Sequence, residues 1–148
     1  MPRSLNLATC AEIGAALVLV LGGVWKALDP SFFLYGLRSA TSRSFFPPLE
    51  LVGALVFLEL ALAAWLLSGR ARRAARWSAS ALFLAFTAWH VYARARGVVH
   101  PCGCFGRLWQ QLGVEPHGLL ELALAGVPAL ALWVSLGEGE REARGGWA

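Results

Sequence analysis

Four long apolar stretches divide the chain: Ala8 to Leu28, Leu49 to Leu67, Trp77 to Ala93 and Leu119 to Leu136. A helix rises ~1.5 Å per residue, so runs of this length cross, or nearly cross, a hydrocarbon core roughly 30 Å thick. The pattern predicts an all-α fold, a polytopic transmembrane four-helix bundle forming one domain, with a polar tail from Gly137 to Ala148. Arg3 ahead of the first run resembles the start of a signal peptide. No small-residue cleavage pattern closes that run, however; Trp25, Lys26 and Asp29-Pro30 follow instead, an interface and a helix stop. Ser31 to Phe46 reads as a loop whose aromatics (Phe32, Phe33, Tyr35, Phe45, Phe46) anchor at the interface, and Pro47-Pro48 opens the second run. Ala81, Ala85 and Ala88 in the third run, and Ala125 and Ala129 in the fourth, recur at the spacing that lets helix backbones approach closely in lipid.

Composition agrees with that pattern. Hydrophobic residues make up 57% of the chain and charged ones 15%, whereas soluble domains carry about a quarter charged residues. The net charge is +4, yet the basic residues sit between the apolar runs, which speaks for membrane topology and against nucleic acid as a partner. Arg70, Arg72, Arg73 and Arg76 form the densest basic cluster. Assigning that cluster to the cytoplasm places both termini inside and the first and third loops outside a bacterial inner membrane.

Candidate chemistry concentrates in the third loop, His100-Pro101-Cys102-Gly103-Cys104-Phe105-Gly106-Arg107. Two cysteines one residue apart are close enough to bridge, and Gly103 relaxes the backbone between them. A ring this short restrains the unfolded chain little, so it is a poor staple, while its strain makes the bond easier to reduce. Arg96, Arg107 and His100 lie close enough in sequence to favour thiolate. A redox-active pair on the oxidising side of the membrane is the preferred reading. Metal ligation by Cys102 and Cys104 with His100 or His117, and a turn with inert cysteines, stay open beside it. Cys10 falls at the opposite face and is expected to pack as a small apolar residue.

Ionisable residues within the apolar runs form a second signal, because each is costly in contact with lipid. Glu12, Glu50 and Glu121 lie near run ends, where headgroup water accommodates them, and His90 reads as interfacial. Glu59 lies mid-run and needs a partner or a proton. Lys26, the single lysine, and Asp29 are three residues apart and read as a local ion pair at the outer end of the first helix. That end shares the side of the third loop, where Lys26 would stabilise a thiolate and Asp29 orient it or accept a proton.

Cys102-Gly103-Cys104-Phe105-Gly106 after a third helix resembles the MauE family of methylamine-utilisation proteins, within the wider DoxX-like membrane group. Lys26-Ala27-Leu28-Asp29-Pro30 followed by Phe32 and Phe33, the proline-rich entry to the second run, and Leu58-Glu59-Leu60 within it are similar to that family's pattern. The similarity covers about Gly14 to Leu136; Glu115-Pro116-His117-Gly118 departs from it at the entry to the fourth run. The resemblance implies a four-helix inner-membrane protein tied to thiol–disulfide redox and, in the methylamine branch, to maturation of a disulfide-rich periplasmic subunit. On that reading the partners are the bilayer, an exported client and a thioredoxin-like protein. No motif names a cofactor, although a membrane quinone fits the electron balance. Two rival readings are a non-catalytic assembly scaffold and a metal-handling protein using the Cys-Gly-Cys loop.

Overall fold

The computed structural model describes residues 7–41, 49–98, 123–124 and 126–134, and all of its regular structure there is helical. The helices are α1 (Leu7–Leu28), α2 (Pro30–Ala40), α3 (Leu49–Ser68) and α4 (Arg72–Ala95). A fifth helical stretch, α5, covers residues 123–124 and 126–134. Among the described residues two spans, Ala8–Leu28 and Leu49–Ser68, are long and apolar enough to cross a membrane. α4 is as long, but Ser78, Ser80, Thr87 and His90 make its middle less apolar.

The first connection departs from the sequence expectation of a loop over 31–46, since residues 30–40 form helix α2. Asp29-Pro30 stops one helix and starts the next. The Asp29 carboxylate accepts from the Ser31 backbone N–H at 3.3 Å and from the Ser31 hydroxyl, while Pro30 occupies a position whose N–H has no helical acceptor. Phe33, Gly36 and Ala40 form the buried face of α2, and Tyr35 remains exposed.

α3 turns into α4 within three residues. Gly69 (φ 67°) and Ala71 (φ 47°) both adopt left-handed backbone, and the Trp65 indole N–H donates to the Arg70 carbonyl at 2.9 Å. α4 therefore begins at Arg72, five residues before the expected Trp77, and takes three arginines of the basic cluster into its first turns. At its other end Val98 N–H bonds to the Ala93 carbonyl and Gly97 N–H to the Arg94 carbonyl. This is a Schellman cap, with Gly97 supplying the positive φ of 77°.

Contacts between helices give their directions. Near its start α1 meets α4 just past the turn, where Glu12 pairs with Arg76, and near its end it meets α3 halfway along, where Lys26 pairs with Glu59. Phe86, further along α4, also reaches Lys26. So α3 runs antiparallel to α1, and α4 runs parallel to it.

One core joins four of the helices: Ala15, Ala16 and Leu19 from α1, Leu62, Ala63 and Leu66 from α3, Ala75, Ala79 and Phe83 from α4, and Ala129 and Leu132 from α5. Alanines predominate because close backbone approach, rather than exclusion of water, provides cohesion between helices in lipid. The small-residue face of α4 is Ala75, Ala79 and Ala93; Ala81, Ala85 and Ala88, expected at the interface, are exposed. Both sets have helical spacing, and only the neighbouring helices select between them. Ala129 is in the core as expected, while Ala125 falls outside the described residues. Around this core the outer surface is apolar, with Phe57 75% exposed and Leu17, Leu67 and Leu84 also exposed. Soluble monomers rarely present so much apolar surface.

Candidate functional site

The site begins with the two charges that the apolar runs carry deepest. Lys26 of α1 and Glu59 of α3 are each 1% exposed, and the Lys26 ammonium donates to Glu59 Oε1 at 2.5 Å. Side chains on a helix lean toward its N-terminus. On antiparallel helices the lysine therefore leans back along α1 while the glutamate leans toward it along α3, and the pair closes across 33 positions of sequence.

Aromatic rings complete the surroundings of the ammonium. Its nitrogen lies 5.9 Å from the centre of the Phe33 ring, on α2, and 5.2 Å from that of Phe86, on α4. Desolvated cation–π contacts of this length contribute up to ~2 kcal/mol each. The four helices α1 to α4 thus converge on one nitrogen. Gly23, one turn before Lys26, makes room for the acid: a Cβ there would stand 3.3 Å from Glu59 Oε2. That oxygen is buried and has no hydrogen-bond partner among the described residues. His90 lies one turn beyond Phe86 on the same face of α4 and is 2% exposed.

A charge pair in this setting does little for net stability, because the desolvation of both ions offsets most of their attraction. Its chemistry is more distinctive. The carboxylate keeps one oxygen open for a proton or a donor. The ammonium remains stabilised by two rings when the acid is neutralised.

Several sequence expectations are revised here. Lys26 pairs with Glu59 rather than with Asp29, whose carboxylate caps α2. Electroneutrality was the available signal, since a single lysine and a mid-run acid in apolar segments need each other more than either needs a boundary residue. His90 is buried rather than interfacial. Glu12 is buried too, 5% exposed, and bonds at 2.8 Å to Arg76 Nε. Cys10, expected to pack as a small apolar residue, is exposed. Glu50 sits exposed in the first turn of α3, where a helix start accommodates it. Phe86 and Gly23 carry no sequence mark of their role, and Phe33, expected as an interfacial anchor, is instead buried; their significance arises only when four helices meet.

Cys102, Cys104, His100, His117 and Glu121 lie outside the described residues. Among the described residues, no group of three or more His, Cys, Asp or Glu side chains is arranged to hold a metal ion. What the fold does place is the end of α4. Because α4 runs parallel to α1, Ala95 lies at the same end of the molecule as Leu28, the end nearer Lys26.

Neither the curated proteins nor the solved structures contain a significant match to the chain. The model of one family, described as methylamine utilisation protein MauE, matches residues 4–135, which takes in every helix among the described residues and the Cys-Gly-Cys segment. With the match extending over most of its length, the chain belongs to the MauE family.

Proposed function

We propose that this is a polytopic inner-membrane protein that exchanges thiol–disulfide equivalents with an exported client and so assists its maturation. Both termini lie in the cytoplasm in this reading, and Cys102 and Cys104 face the extracytoplasmic space. The buried Lys26–Glu59 pair is the observation that carries it. A MauE-family chain keeps two costly charges within apolar helices, toward the end of the molecule where α4 leads on to Cys102-Gly103-Cys104. The alternating directions of α1, α3 and α4 support several crossings, and the arginines at the α3–α4 turn support a cytoplasmic position for that end.

In the exchange, a client thiolate attacks one sulfur of the Cys102–Cys104 disulfide and forms a mixed disulfide. The client's second thiolate then displaces the remaining cysteine. The client leaves oxidised and the pair becomes a dithiol, having taken up two electrons and two protons. A membrane quinone or a thioredoxin-like partner accepts those electrons and restores the disulfide. Lys26 and Glu59 support the pair by offering a positive charge and a proton-accepting oxygen, and Asp29 by fixing the α1–α2 corner.

Thiol trapping of the full-length protein across a glutathione redox series tests the proposal. A reversible two-electron transition of Cys102 and Cys104, labelled by a membrane-impermeant maleimide only in the reduced state, is expected. Client maturation should be lost in the Cys102→Ser/Cys104→Ser variant. Unimpaired maturation in that variant makes the protein a scaffold. Stoichiometric metal lost with the cysteines makes the loop a metal site.

A further inference from the structure

At the other end of the molecule a shallow groove lies beside the arginine cluster, and neither the inner ion pair nor the redox proposal uses it. We propose that the α3–α4 turn and the first turns of α4 bind the phosphodiester headgroup of an anionic phospholipid. The groove has a volume of about 560 Å³ and is lined by Ala71, Arg72, Arg73, Ala74 and Trp77. The Arg72 and Arg73 side chains bring guanidinium groups to this turn, and the exposed lining of the groove itself is almost wholly apolar. Phosphate needs the first, and the glycerol and upper acyl carbons need the second.

Position argues for a lipid. α3 is a membrane-length apolar helix up to Ser68, and the groove opens within a few residues of that end. Trp77, 49% exposed, and Leu67, 61% exposed, flank the turn. An exposed indole beside an exposed aliphatic residue is the surface expected where headgroups meet hydrocarbon.

Charge argues for an anionic lipid. Arg76 is held by Glu12, the acid that faces this turn from α1. With Arg70, Arg72 and Arg73 the turn carries four arginines within seven positions. The backbone adds to them. α4 has no side-chain cap, its N-cap Ala71 is left-handed, and its first helical bond runs from Ala75 N–H to the Ala71 carbonyl at 3.1 Å. The N–H groups of residues 72–74 therefore lie in the turn that helix geometry leaves without intrahelical acceptors, at the positive end of the helix dipole. A zwitterionic lipid offers the same phosphate with its charge cancelled by its own ammonium. A net-negative headgroup satisfies the site more fully.

Native mass spectrometry of the full-length protein tests this, after release from nanodiscs containing equal amounts of phosphatidylglycerol and phosphatidylcholine. Basic residues at an anionic surface contribute enough that the wild type should retain phosphatidylglycerol over phosphatidylcholine on the order of tenfold. Arg72→Gln/Arg73→Gln should bring that ratio close to one. Arg94→Gln/Arg96→Gln removes the same charge from the opposite end of α4 and should leave the ratio unchanged. The single variant Arg72→Gln should give an intermediate ratio, so the result does not depend on the double variant folding. Equal retention of both lipids by the wild type overturns the proposal, as does equal loss in the two double variants. Inorganic phosphate at millimolar concentration is the second probe: bound lipid should survive it, and displacement by phosphate alone overturns the assignment to a lipid.

Discussion

α1 carries a cross-helix ion pair toward each end, and the two are built for different conditions. Glu12–Arg76 joins α1 to the start of α4, and its arginine side chain remains 14% exposed beside a turn of further arginines. Lys26–Glu59 joins α1 to the middle of α3, with both side chains within 2% of complete burial and two phenylalanine rings over the ammonium. The first is a boundary pair, where water and counterions share the charge. The second has no such help, and its members depend on one another. Such a pair contributes little net stability but is very costly to break from one side.

The largest expected effect comes from breaking the inner pair on one side only. Lys26→Met leaves a buried carboxylate unmatched and should destabilise the protein by ~3–5 kcal/mol, read as a lowered thermal midpoint in detergent. Combining Lys26→Met with Glu59→Leu should recover most of that loss. If the double variant is as unstable as the single one, the pair is not the coupled unit described here. Next in size is Gly23→Val, which drives a branched side chain against Glu59 Oε2 and Leu60 and should cost ~1–3 kcal/mol through overpacking. Tolerance of valine there would mean that the carboxylate moves freely, and the open oxygen would lose its significance.

The outer pair should respond more weakly. Glu12→Gln is expected to cost about 1 kcal/mol, with the loss shrinking as salt is raised, since a partly exposed pair is screened. Double-mutant cycles on the two pairs sharpen the contrast: coupling should be several times larger for Lys26–Glu59 than for Glu12–Arg76. Smallest of all is Ala85→Leu. Ala85 faces outward, so the change should stay within ~0.5 kcal/mol, whereas Ala79→Leu, on the buried face of the same helix, should be strongly disruptive.

Much of this arrangement is legible in the chain, and the exceptions share a cause. Helix positions follow from apolar run length, which is local, so α1 and α3 fall within a residue of their expected ends. α2 is hard to foresee because aspartate followed by proline stops one helix and equally well starts another. α4 began early because its first turns are arginine-rich, and an apolarity criterion discards such residues even where the backbone is helical. The cysteine pair stands out by its spacing, and it lies outside the described residues. The buried charges are legible only singly: Lys26 and Glu59 each stand out, and their bond across 33 positions does not.

By itself, the sequence determined what local physics determines. Apolar runs long enough for a bilayer, arginines gathered at one connection, two cysteines too close to serve as a staple, and the residues of the MauE pattern can all be read without coordinates. Only the tertiary structure decided which charges are partners, which alanine face of α4 is buried, and that Phe33 of α2 and Phe86 of α4 both lie over one ammonium. The reason is geometric. Helical periodicity defines every face of a helix equally well, and the antiparallel placement of α3 against α1 is what turns one face of each into an interior.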